Sequence, residues 1–87
     1  MNTQISILYF AWLRERVGMS AESLTLPDGV DTVAALVDHL TARGGGHAAA
    51  FANRGAIRCA INQEFAEPSA ALHAGDEVAF FPPVTGG

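Results

Sequence analysis

The chain has 87 residues, 49% of them hydrophobic, and a formal net charge of −4, a combination that specifies one domain with a small core and lies outside the disordered regime. Its five strong bases are all arginine and are dispersed along the chain, which excludes a basic patch for nucleic acid, while the lack of lysine excludes a P-loop and an internal Schiff-base nucleophile. No apolar run approaches the ~20 residues needed to cross a bilayer, and Met1-Asn2-Thr3-Gln4 has no basic leader region, so no membrane association is expected and the cytoplasm is the expected location.

Residues Ile5 to Phe10 alternate, with Ile5, Ile7 and Tyr9 on one face and Ser6, Leu8 and Phe10 on the other, the period of a β-strand. Ala11 to Val17 favours one or two helical turns stopped by Gly18, with Trp12 or Leu13 covering an edge of the core. Leu24 and Leu26 alternate ahead of the turn Pro27-Asp28-Gly29, which predicts a second strand paired with the first. The clearest helix begins near Asp31-Thr32, either of which can cap it, and carries Val33, Leu36, Val37 and Leu40 as one apolar stripe. Arg43 suits the negative end of that helix, and Gly44 ends it. Gly44 to Gly55 reads as a loop with one helical turn around His47 to Ala52, pinned by Phe51.

Ile57 to Ile61 alternates again, with Ile57, Cys59 and Ile61 inward and Arg58 and Ala60 outward, and Asn62-Gln63 can turn the chain toward Phe65. The lone Cys59 has no disulfide partner and reads as a small core hydrophobe. Ala74-Gly75-Asp76 is a turn that launches a last strand, Glu77 to Phe81, and Pro82-Pro83 ends ladder pairing because proline has no N–H. The order strand, strand, helix, strand, strand predicts an α+β fold, a β-grasp with a mixed sheet and one main helix across one face. The expected division is a β-grasp domain over residues 1–81 and an extended arm over residues 82–87. With the first and last strands adjacent at the centre, Leu8, Phe10, Arg58, Ala60 and Phe81 share the face that the helix leaves open, which predicts a docking surface.

His39, His47 and His73 with Cys59 lack the close spacing of a zinc motif, so no metal site is expected. Asp76 and Glu77 are neighbours on a strand and point to opposite faces, which suits a turn with a solvated charge better than paired acid–base catalysis. Chemistry is concentrated instead at Gly86-Gly87. Glycine has no Cβ, so a Gly-Gly end can thread a narrow channel and allow close backbone approach.

The segment Gly75-Asp76-Glu77-Val78-Ala79-Phe80-Phe81-Pro82-Pro83-Val84-Thr85-Gly86-Gly87 closely resembles the C-terminus of the small subunits of molybdopterin synthase, a family of ubiquitin-like sulfur carriers. Leu8-Tyr9-Phe10-Ala11, Leu13-Arg14-Glu15 and Gly18 resemble that family's opening, and Ala60-Ile61-Asn62-Gln63 its middle strand; Gly44 to Ala56 carries no such likeness. The related thiamine-pathway carriers also end in Gly-Gly but usually lack Phe-Phe-Pro-Pro, and a ubiquitin-like protein modifier is a further alternative. What the resemblance implies is a cycle of ATP-dependent adenylation of the Gly87 carboxylate by an activating enzyme, conversion to a thiocarboxylate, and sulfur donation to a pyranopterin precursor within the synthase. ATP would be consumed by the adenylating partner, and the chain itself would hold no permanent cofactor. Gly87 would carry the sulfur, Gly86 would supply slimness, and Pro82, Pro83, Val84 and Thr85 would form the arm that enters the large subunit, in an assembly of two small and two large subunits. Phe81, Phe10, Leu8 and Phe65 are the expected anchors on that subunit, since aromatic contacts dominate interface energies, and Arg14 could pair with a partner carboxylate. The isolated chain is expected to be no enzyme, catalysis belonging to the assembled synthase.

Overall fold

The structure is a computed structural model that describes residues 3–83. The alternation read from the first residues is realised in strand β1, Gln4–Tyr9, where Ile5, Ile7 and Tyr9 are buried while Gln4 and Ser6 face solvent. Helix α1, Trp12–Val17, follows and stops at Gly18, whose left-handed φ of 92° lets its N–H reach the carbonyl of Arg14 at 2.9 Å. Of the two core-edge candidates it is Leu13 that is fully buried, and Trp12 lies half-buried under the guanidinium of Arg16, 4.5 Å from its ring.

Strand β2, Ala21–Thr25, returns antiparallel to β1, with Leu24 opposite Ile5. Helix α2, Val33–Ala42, is capped by Thr32, whose hydroxyl oxygen accepts from the Ala35 N–H at 3.2 Å, and buries Val33, Leu36, Val37 and Leu40. The segment predicted as a loop with one turn around His47 to Ala52 is more ordered. Helix α3 spans Gly45–Ala50, and a short 3-10 turn covers Arg54–Ala56. Phe51 at the end of α3 is 1% exposed and meets Phe80 edge-on at 5.0 Å and Tyr9 at 6.4 Å, so an aromatic cluster holds the segment to the core.

Strand β3, Arg58–Ile61, is joined to strand β4, Glu64–Ala66, through Asn62 and Gln63, both with positive φ (51° and 71°), the backbone of a two-residue hairpin turn. β4 is a fifth strand where the sequence predicts four. At three residues it is too short to show an alternation that could be read in advance. Strand β5, Glu77–Phe81, lies between β1, to which it is parallel, and β3, to which it is antiparallel, giving the sheet order β2-β1-β5-β3-β4. This mixed sheet with α2 as its main helix is the predicted β-grasp. Val78 and Phe80 of β5 face the core at 0% and 1% exposure.

Asp76 closes the predicted turn, with its N–H bonded to the His73 carbonyl, but its side chain is not solvated. It is 8% exposed, and its carboxylate accepts from the His73 N–H at 2.8 Å and from the Asn62 side-chain amide at 3.0 Å. Asn62 in turn accepts from the Glu77 N–H at 3.0 Å, so the hairpin turn and the launch of β5 are tied together.

Candidate functional site

The face of the sheet opposite α2 is built by the strand registers. Leu8 on β1 pairs with Ala79 on β5, Ala79 with Ala60 on β3, and Ala60 with Phe65 on β4, so these four side chains form one row across the sheet on the same face. In the middle of the row two alanines leave the surface low, with bulkier Leu8 and Phe65 at its ends. Arg58 and Phe81 are paired in the neighbouring position. Phe65 is 83% exposed and its ring lies 5.9 Å from that of Phe81; Phe10, next after β1, is 46% exposed. Exposed aromatics of this size on one sheet face leave apolar surface that a protein partner could cover.

The structure therefore brings together Leu8, Phe65 and Phe81 on one surface, and Phe10 stands at its margin. Arg14 lies apart on α1, exposed and without an ion-pair partner among the described residues. Pro82 and Pro83 are half-buried beyond the end of β5. Val84, Thr85, Gly86 and Gly87 lie outside the described residues. Ala79 was not singled out as part of the site, although its alternation with Phe80 places it beside Phe81. Among the described residues no cluster of His, Cys, Asp and Glu could hold a metal ion, and no helix is long and apolar enough to cross a membrane.

The thiol of Cys59 sits on the opposite face at 7% exposure, and burial pushes its pKa up to about 11. It is thus protonated and shielded at neutral pH, a poor nucleophile. The chain also has no lysine, so it supplies no ε-amine nucleophile of its own.

A second polar assembly escaped the sequence reading. Glu22 on β2 accepts from the Tyr9 hydroxyl at 2.7 Å and from Arg43 at 2.8 Å, and its second contact on the Tyr9 side is His47 Nε2 at 2.7 Å. His47 is 7% exposed. Arg43 thus does more than sit at the end of α2, because its guanidinium ties that end to β2. Burial alone would raise the Glu22 pKa, but the hydrogen bonds from Arg43, His47 and Tyr9 outweigh it and hold it down to about 2. The same burial, reinforced by the Glu22 charge, raises the Tyr9 phenol far above its ordinary range.

Residues 7–87 match the ThiS family. The chain is 41% identical to the molybdopterin synthase sulfur carrier subunit of Haemophilus influenzae and 42% identical to that of Escherichia coli, in each case over 95% of this chain and 99% of the relative. Among solved structures it is similar to small archaeal modifier protein 1 of Haloferax volcanii, with a TM-score of 0.74 and 30% identity over 95% of this chain and 100% of that one.

Proposed function

Because the chain belongs to the ThiS family, we propose that it works as the sulfur carrier subunit of a molybdopterin synthase, with the carbonyl carbon of Gly87 as the reacting centre. The observation that carries this reading is the near full-length likeness to sulfur carrier subunits of that name, in a fold whose central strand leads into the Gly-Gly segment. A carboxylate resists substitution because oxide is a poor leaving group. An activating enzyme solves this by transferring AMP from ATP to the carboxylate with release of pyrophosphate, after which a sulfur nucleophile displaces AMP. The resulting thiocarboxylate is a soft nucleophile for a pyranopterin precursor, and two such transfers build a dithiolene, consuming two charged carriers per product.

In this reading residues 82–87 form the arm that enters the large subunit. Pro82 and Pro83 project it, since neither can donate to a ladder, and Gly86 keeps it narrow. The row Leu8-Ala79-Ala60-Phe65 with Phe81 and Phe10 docks the carrier on the large subunit, with Arg14 available to a partner carboxylate and an assembly of two small and two large subunits as the expected form. Protonated Cys59 and the lack of lysine remove a thiolate and an ε-amine of the chain's own as competitors for the activated terminus.

Incubation with the activating enzyme, ATP and a sulfur donor should make the intact protein about 16 Da heavier, the exchange of one oxygen for sulfur in an acyl substitution. The likeness to an archaeal modifier favours one second reading, protein modification through an isopeptide bond. Accumulation of conjugates on lysines of other proteins, with no sulfur-charged carrier, would establish that reading in place of the first.

A further inference from the structure

An open groove of about 820 Å³ lies between α2, the 3-10 turn and the β3–β4 hairpin, lined by apolar side chains that include Val33, Val37, Phe51, Ile57 and Phe80. It reaches Pro83, the last described residue, and the docking aromatics Phe65 and Phe81 also line it, so it is continuous with the open sheet face. Two arginines stand at it. Arg54 is neutralised by Asp38 at 2.6 Å. Among the described residues Arg58 donates to the main-chain carbonyls of Gly55 and Ile57, at 3.1 and 3.2 Å, and no carboxylate is paired with it; Glu67, the acid in the groove lining, is exposed and not its partner. In a chain of net charge −4, a guanidinium that meets no carboxylate of the described residues and stands beside an apolar groove is suited to an incoming carboxylate.

Resting on the carrier reading, we propose that this groove receives an extended segment of the synthase large subunit in which an apolar side chain neighbours a carboxylate. The apolar side chain enters between α2 and β3, and the carboxylate takes a hydrogen-bonded ion pair with Arg58. A protein that takes up the arm beyond Pro83 must cover this end of the sheet. It then meets the groove and the Phe65–Phe81 pair together, and apolar surface left wet in the free carrier becomes buried.

The test is binding of the full chain to the purified large subunit, with cooperative melting confirmed for each variant. Arg58→Glu should weaken binding by about tenfold or more at low salt, with the deficit shrinking as salt rises. Ala34→Phe, which fills the groove from α2 where Ala34 lines it, should weaken binding at every salt concentration. A measurement without substitution runs in parallel, because Cys59 lines the same groove: saturating large subunit should slow its alkylation by iodoacetamide severalfold. Unchanged affinity for both variants while Phe81→Ala still weakens binding overturns the groove proposal and leaves the carrier reading intact. Unprotected Cys59 in the formed complex overturns it as well. Faster alkylation of the free carrier after deletion of Gly86 and Gly87 would assign the groove to the chain's own terminus and overturn the partner assignment, whereas failure of the unaltered chain to bind the large subunit at all defeats the reading beneath it.

Discussion

Glu22 holds three side chains that are 13, 21 and 25 residues away along the chain, and it links β1, β2, the end of α2 and α3 at one point. A carboxylate whose folded pKa is depressed stabilises the fold above its unfolded pKa and ceases to do so as pH falls through the folded value. With about 2 folded against an ordinary 4.5, this contribution is present at neutral pH and is lost progressively between pH 4.5 and 2. Thermal melting followed across that window should show Glu22→Gln already destabilised at pH 7 and nearly insensitive to the acid range in which the unaltered chain declines. A pH slope identical in both proteins would show that other carboxylates govern acid unfolding. Gly46 illustrates a different constraint, since a Cβ there runs into the carbonyl oxygen of Arg16 and α3 could then no longer lie against α1. Gly46→Ala should cost about 1–3 kcal/mol of stability, as overpacking does, measured by urea denaturation.

At the level of elements, the β3–β4 hairpin carries Phe65, the most exposed large hydrophobic residue among those described, on the open face of the sheet. Its turn has two residues in left-handed conformation, and the Asn62 side chain bonds both Asp76 and Glu77. Asn62→Ala removes both bonds and leaves the nearly buried Asp76 carboxylate one donor short. A loss of about 1–3 kcal/mol is expected, visible as a lower urea midpoint and faster amide exchange in β4 than in β1. Phe65 on the same hairpin behaves in the opposite way. At 83% exposure it contributes little to the core, so Phe65→Ala should leave stability within about 0.5 kcal/mol yet weaken binding to the large subunit by about tenfold, as loss of an aromatic anchor does. A stability loss with unchanged binding would make Phe65 a packing residue.

Taken whole, the molecule is a packed body, and the proposed function puts the chemistry outside it, at Gly87. β5 is the central strand, paired on both sides, with β1 and with β3, and its inward residues Val78 and Phe80 belong to the core, so whatever pulls on the segment beyond Phe81 acts on a strand anchored in the middle of the sheet. Deletion of Gly87 should therefore leave the melting temperature unchanged while abolishing sulfur charging, read by intact mass after reaction with the activating enzyme. Charging that survives the deletion would place the acceptor carbon elsewhere. Adding residues after Gly87 that are not removed should block charging equally.

Much of this was written in local pattern. Alternation in Ile5 to Tyr9 and in Glu77 to Phe81, the stripe Val33-Leu36-Val37-Leu40, and the positions of Gly18 and Pro82-Pro83 carry the strands, the main helix and their limits, because periodicity and backbone restriction act over a few residues. The face shared by Leu8, Arg58, Ala60 and Phe81 followed once the strand order was inferred, whereas Phe65 joins it only through strand β4, which has no readable period. What required the folded molecule were the relations between distant segments: the Glu22 hub, the burial of Asp76, the ordering of the Gly44–Gly55 stretch through Phe51, and the groove beside Arg58. Each depends on which charge or ring meets which across 13 residues or more, and pairing of that kind leaves no period in the chain, since it is chosen by packing of the whole core rather than by any neighbour in sequence.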